Sequence, residues 1–308
     1  MVGLTNMSLN ERNGGPLSSN VIVLGSSGML GQEVVNVFAN AGLAHFEFSR
    51  EPVSKHFFDF TDQSVDEISK ILSISDGAYV INCIGWIPQR AIGDPALDKE
   101  NAWKLNVRLP MVLEELAEKM SVRVLQVATD CVFDGLGGNY LEPDTPNSED
   151  LYGKSKIAGE ALQPSAMRIR CSIIGQDRNS NAGLFSWYKS QPKDSSVTGY
   201  SNHYWNGVTT TALAKLFLGI IREETFLPGL QHWIPSDSVS KWELLSAFQV
   251  LIGGSAANVL KGEGAKAVDR TLSTVNPLMS ERYWGLAGYG NTPSISALVA
   301  ELVDSTII

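Results

Sequence analysis

Residues 21–24, Val-Ile-Val-Leu, form an uninterrupted apolar run, and a glycine-spaced turn follows at once: Gly25-Ser26-Ser27-Gly28-Met29-Leu30-Gly31. A short run that is apolar on every side suits a strand covered on both faces of a sheet. Beyond the turn, residues 29–41 carry Leu30, Val34, Val35 and Phe38 at helical spacing. Glycine tolerates positive φ and close approach to its backbone, and a helix N-terminus offers free N–H groups to an anion. Strand, glycine turn and helix in this order predict a site for the pyrophosphate of a dinucleotide, built on Gly25, Ser27, Gly28, Met29, Leu30 and Gly31. The spacing is GxxGxxG, which on its own is a weak signal; its place between strand and helix strengthens it.

The same alternation continues along the chain. Strands are predicted at residues 45–49, 56–60, 78–83, 122–128 and 167–174, with helices at 65–72, 102–119 and 151–162 between them. Short apolar runs alternating with helices predict an α/β fold, a doubly wound parallel sheet of the Rossmann type over residues 20–175. Residues 1–19 read as a flexible tail. After residue 175 the pattern loosens into loops rich in Asn, Ser and aromatics, and helices return at 209–222, 241–251 and 294–303. Residues 176–308 are expected to form mainly a smaller C-terminal substrate lobe, with room for segments that return to the first domain.

Where the second strand ends, an acidic residue would accept from an adenosine ribose and select NAD, whereas an arginine can pair with the 2′-phosphate of NADP. Here the chain reads Phe48-Ser49-Arg50-Glu51. Ser49 and Arg50 favour NADPH, with NADH left open by Glu51.

Composition narrows the remaining classes. Hydrophobic residues at 44% and charged residues at 19% describe a globular chain, and a net charge of −9 with a pI near 5.0 argues against a nucleic-acid polymer as partner. No apolar stretch reaches the roughly 18 residues that span a bilayer, and the first twenty residues lack the pattern of a signal peptide. A cytoplasmic protein is expected. Cys83, Cys131 and Cys171 are far apart without CxxC spacing, so neither a disulfide framework nor a metal site is expected. His45, His56, His203 and His232 have no metal spacing either.

Tyr152-Gly153-Lys154-Ser155-Lys156 sets a phenol and an ammonium four residues apart, on one face of a helix. A phenol titrates near 10 and needs a neighbouring positive charge to exchange its proton around neutrality, which suits Tyr152 to general acid catalysis beside Lys156. Upstream, the strand ending Val127-Ala128-Thr129-Asp130 offers the Thr129 hydroxyl to a substrate carbonyl.

At these residues the sequence resembles the extended short-chain dehydrogenases, and within them the dTDP-4-dehydrorhamnose reductase family. The matching pieces are Gly25 to Gly31, Phe58-Asp59-Phe60-Thr61-Asp62, Val80-Ile81-Asn82 and Leu105-Asn106-Val107. They continue with Ala128-Thr129-Asp130-Cys131-Val132-Phe133-Asp134-Gly135, Tyr152 to Lys156, Gly159-Glu160, Arg170-Cys171-Ser172 and Asp269-Arg270-Thr271-Leu272-Ser273. The resemblance implies a catalytic triad of Thr129, Tyr152 and Lys156. It implies an adenine site at Asp59 and Phe60, a cofactor wall along Cys83, Ile84 and Gly85, and Asn106 supporting the active-site helix. The implied reaction reduces the C4 ketone of a nucleotide-linked 4-keto-6-deoxyhexose in polysaccharide precursor synthesis, and the family implies a homodimer.

Three departures from the family fall near the sugar: Ile173 replaces an aromatic, Cys131 a tyrosine, and Gly85-Trp86-Ile87-Pro88-Gln89 an unrelated segment. A UDP-linked N-acetylamino sugar therefore rivals a dTDP-linked one. Expected substrate contacts are Trp86, Arg90, Asp130, Cys131, Trp205 and Asn206. The related dehydratases carry an Asp-Glu pair after the threonine, and Asp130-Cys131 lacks that base. A nucleotide-sugar epimerase remains an alternative, against which Ser49-Arg50 speaks. A further one is an NADP-binding regulatory subunit like that of methionine adenosyltransferase, which resembles the same family.

Overall fold

The computed structural model describes residues 21–51, 56–61, 64–73 and 78–307; the expected tail, residues 1–19, and Asp62 lie outside them. The apolar runs and the helices between them alternate as β1 (Val21–Leu24), α1 (Met29–Asn40), β2 (Phe46–Ser49), β3 (His56–Phe57), α2 (Val65–Leu72) and β4 (Tyr79–Asn82). Next, α3 (Pro95–Trp103) runs through a π turn (Lys104–Arg108) into α4 (Leu109–Met120), followed by β5 (Arg123–Ala128), α5 (Leu151–Glu160) and β6 (Met167–Arg170). β7 (Ile173–Ile174), α6 (Leu184–Lys189), β8 (Ser196–Tyr200), β9 (His203–Trp205), β10 (Val208–Thr209), α7 (Thr210–Arg222) and β11 (Gly229–His232) come after it. The chain finishes with β12 (Val239–Ser240), α8 (Lys241–Ile252), β13 (Asn258–Gly262), β14 (Val268–Asp269), α9 (Pro277–Leu286) and α10 (Ile295–Ile307).

Seven strands pair in the order β11-β6-β5-β4-β1-β2-β3, all parallel. The order reverses between β1 and β4, and such a reversal opens a crevice at the carboxyl ends of the strands. Successive β1 residues face opposite layers, as a period of two requires. Val21 and Val23 pack under α1, α7 and α9 with Val34, Phe38, Leu213, Phe217 and Trp284. Ile22 and Leu24 pack under α2 and α4 with Ile68, Ile71, Val112, Leu113 and Leu116. A separate core of Phe185, Tyr188, Trp205, Leu244, Phe248, Val299 and Leu302 holds the lobe together.

Two sequence expectations change. The run 167–174 is two strands in two sheets: β6 ends at Arg170, and β7 pairs with β10 outside the main sheet. The helix expected over 102–119 begins at Pro95 and widens into a π turn whose Leu109 N–H donates to the Lys104 carbonyl. Pro110 explains the widening, because it has no N–H to give to the Asn106 carbonyl four residues back. Later segments also return to the first domain, as the sequence left room for: α7 joins the helical layer, and β11, which the sequence did not foresee, joins the main sheet.

Candidate active site

Loops from the carboxyl ends of β1, β4 and β5 meet the start of α5 and the chain beyond β6 around a cavity of about 760 Å³. A narrower space of about 180 Å³ lies between the glycine loop, Ser49, Arg50, Asp59 and Phe60. Gly28, Cys83, Ile84, Gly85, Trp86 and Arg90 line both, so the two are compartments of one crevice.

The glycine loop is tied to the sheet by Gly25 and Ser26, whose N–H groups both donate to the Phe48 carbonyl at 2.8 and 3.1 Å. Gly25 takes φ +80°, and the Gly28 cap of α1 carries no side-chain hydrogen bond, leaving the helix N-terminus toward the cavity. Gly31 lines neither compartment. A Cβ there would run into the Gly25 carbonyl, so its part is to let α1 close onto the loop. In the narrow compartment Asp59 Oδ1 accepts from the Thr61 N–H and hydroxyl at 3.0 and 2.7 Å, which fixes the turn beside Arg50.

Thr129 follows β5 and caps a short 3₁₀ turn, its Oγ1 accepting from Cys131 N–H and donating to Asp130 Oδ1, each at 3.2 Å. Tyr152 and Lys156 project from the first turns of α5, which Asp150 caps through Gly153 N–H. Burial raises the Tyr152 phenol above its ordinary value, and the neighbouring Thr129 hydroxyl pulls it back. Burial lowers the Lys156 ammonium, and Glu160 opposes that shift. Lys156 Nζ stands 5.9 Å from the Tyr152 ring centre, and a Cβ on Gly85 would fall 3.1 Å from it. The absence of that side chain keeps the approach to Lys156 open. Cys131 is pushed up to about 12 by burial and is a neutral thiol near pH 7.

Asn106 sits in the π turn, is buried, and has its amide taken up by protein groups. It accepts from Trp86 N–H at 2.9 Å and donates to the Trp86 carbonyl at 3.0 Å and to Ser155 Oγ at 2.9 Å. It therefore locks the wall segment of Trp86 to the helix of Tyr152 and Lys156, and lines neither compartment itself. Gly159 lets α5 press on this turn, since a Cβ would strike the Asn106 carbonyl.

Two residues expected at the sugar are elsewhere. Trp205, 4% exposed, belongs to the apolar core of the lobe, and the Asn206 amide is bonded both ways to the Leu272 backbone at 2.7 and 2.9 Å. Trp86, Arg90, Asp130 and Cys131 do line the cavity. So does Arg270, whose role sequence spacing could not reveal because it arrives from the strand β14 end of the lobe; its Nε donates to the Phe133 carbonyl at 2.9 Å. Lys241, half-buried at the start of α8, holds its ammonium 5.3 Å over the Trp205 ring; desolvation lowers it below its ordinary value, and the Asp130 charge opposes that shift. Among the described residues no group of His, Cys, Asp and Glu could hold a metal, and no helix is long and apolar enough to cross a membrane.

Residues 19–275 match the family model described as the RmlD substrate binding domain. The chain belongs to that family. Within it, the chain is similar to the dTDP-4-dehydrorhamnose reductase of Aggregatibacter actinomycetemcomitans, 27% identical over 237 residues, 74% of this chain and 77% of that protein. It is also similar to the methionine adenosyltransferase 2 subunit beta of Xenopus tropicalis, 22% identical over 238 residues, 73% of this chain and 70% of that one. The crystal structure of the Bacillus anthracis dTDP-4-dehydrorhamnose reductase in complex with NADP shares the fold, with a TM-score of 0.74 at 18% identity, covering 93% of this chain and 99% of that chain.

Proposed function

We propose that the protein is an NADPH-dependent reductase of the C4 ketone of a nucleotide-linked 4-keto-6-deoxyhexose. The observation that carries this reading is that Thr129, Tyr152 and Lys156 converge on the wall of one cavity that the glycine loop also lines. The residues fit a dinucleotide: an uncapped helix start for its pyrophosphate, a bare Gly85 beside Lys156, and Arg50 with Asp59 in the narrow compartment.

Gly25, Ser27, Gly28, Met29 and Leu30 would hold the pyrophosphate, Ser49 and Arg50 the 2′-phosphate, and Asp59 and Phe60 the adenine. The cofactor's contribution when bound is a hydride for the ketone carbon. Tyr152 gives its proton to the carbonyl oxygen as negative charge develops there, and Thr129 donates a hydrogen bond to the same oxygen. Lys156 carries the positive charge that makes the phenol a better acid, and holds ribose hydroxyls. Trp86, Cys131 and Asp130 border the sugar, while the Arg270 guanidinium offers a cation to the nucleotide diphosphate.

The test is NADPH oxidation by the purified protein with dTDP-linked and UDP-N-acetylamino 4-keto sugars. Turnover of one supports the reading and names the nucleotide. NADPH binding without turnover of any favours a regulatory subunit, the second reading that the similarity to subunit beta raises.

A further inference from the structure

Lys156 and Glu160 are four residues apart on α5, so they share one face of that helix. Glu160 is only 8% exposed although it is the last residue of the helix. Its Oε2 is ion-paired with Arg170 Nη2 from β6, while its Oε1 is buried and accepts a hydrogen bond from no described group. Arg170 is itself only 2% exposed, stacked 5.3 Å over the Phe133 ring and bonded to His232 of β11. A third cation, Arg168, donates to the Glu160 backbone carbonyl at 2.9 Å. The Glu160 carboxylate is thus paired with Arg170 in the interior, one helical turn from Lys156.

We propose that Glu160 is a positioning residue of the active site: its carboxylate, anchored by Arg170, holds Lys156 in the charged form that Tyr152 requires. This rests on the reductase reading for the role of Lys156, and it reaches below the crevice to residues that line no part of it. Removing this anion leaves the half-buried Lys156 and the buried Arg170 without a shared counter-charge, and the ammonium is the one that can shed its proton. Neither neighbour beyond the end of β5 substitutes for that anion. Cys131 is a neutral thiol near pH 7, and Asp130, which acts on Tyr152 from the end of β5, already accepts from the Thr129 hydroxyl. His232, on the far side of Arg170, is kept neutral and supplies no anion.

The experiment uses the full chain labelled with ¹³Cε-lysine. The Lys156 resonance is identified by its loss in Lys156→Arg and titrated with pH in wild type and in Glu160→Gln. The midpoint should fall by about one unit or more in Glu160→Gln, since opposite charges at close range shift a titration by roughly that much. Glu160→Asp, which keeps the charge and draws it back, should restore part of the fall. An unmoved midpoint in a folded Glu160→Gln overturns the proposal. Should that variant fail to fold, Glu160→Asp decides, because it must still lower the midpoint part of the way. The titration needs neither cofactor nor substrate. A moved midpoint in a protein that reduces no keto sugar would keep the charge coupling and remove the reductase reading.

Discussion

Arg90 Nη2 and Asp177 Oδ2 lie 3.1 Å apart and join the loop after β4 to the loop after β7 at the side of the cavity. Asp177 also accepts from Asn179 N–H and from the Ser180 hydroxyl, and Asn179 in turn donates to the Ser27 carbonyl at 2.9 Å. Burial pushes the Asp177 carboxyl up, but the hydrogen bonds from Ser180, Asn179 and Arg90 outweigh it and hold the group below its ordinary value. Asp177→Ala releases both Arg90 and the segment over the glycine loop. NADPH binding, followed by fluorescence, should weaken about tenfold, the equivalent of one charge-assisted hydrogen bond. An unchanged affinity would mean that the pair does not shape the cofactor site.

Tyr152→Phe removes the proton donor and little volume. Turnover should drop at least about 100-fold, the low end of general acid contributions, with NADPH affinity nearly intact. Comparable losses in both measurements would point to a collapsed site instead of a missing acid.

Arg50→Ala tests the choice of cofactor. The Michaelis constant for NADPH should rise roughly tenfold or more, as for a lost charge-assisted bond, while that for NADH stays nearly constant. Equal changes for the two cofactors contradict pairing with the 2′-phosphate.

His232 gives a pH signature in stability. Arginine has no acceptor, so His232 Nε2 must accept from Arg170 at 3.1 Å, and Nδ1–H donates to the Ser273 carbonyl at 2.7 Å. Burial and the Arg170 charge hold the imidazole below its ordinary value. The stabilising contribution is therefore complete above about 6.5, the unfolded value, and is lost as pH falls toward the folded one, because only the unfolded chain takes up the proton. Urea unfolding should show a decline of up to about 1.4 kcal/mol per pH unit below pH 6.5 from this group, and His232→Gln should remove that part of the slope.

Much of the sheet was legible because its strands are buried on both faces and read as apolar runs, as in β1 and β4. β11 escaped because Gly229-Leu230-Gln231-His232 is half polar; its Gln231 and His232 are satisfied by Glu142 and Thr274, partners distant in sequence. The division of residues 167–174 was equally hidden, since an apolar run records burial and not the sheet that provides it. In the site, Thr129, Tyr152 and Lys156 carry their own spacing signal, whereas Asp177 and Arg270 are recruited by the fold. Trp205 shows the converse. A tryptophan in a loop-rich stretch invites a ligand, yet its neighbours Leu244, Phe248 and Leu302 make it core.

The passage of the chain between sheet and lobe limits how this protein could be rebuilt. After β6 the backbone builds β8 and β9 of the lobe, returns as α7 and β11, leaves again for α8, and comes back as α9 before α10 rejoins the lobe core. The lobe is thus stitched to the sheet by interleaved segments. No single cut separates it, so it cannot be traded between relatives as a cassette, and a fragment ending near residue 175 would lack α7, α9 and the edge strand β11 that cover one layer. A new substrate preference would have to be introduced side chain by side chain along the cavity wall.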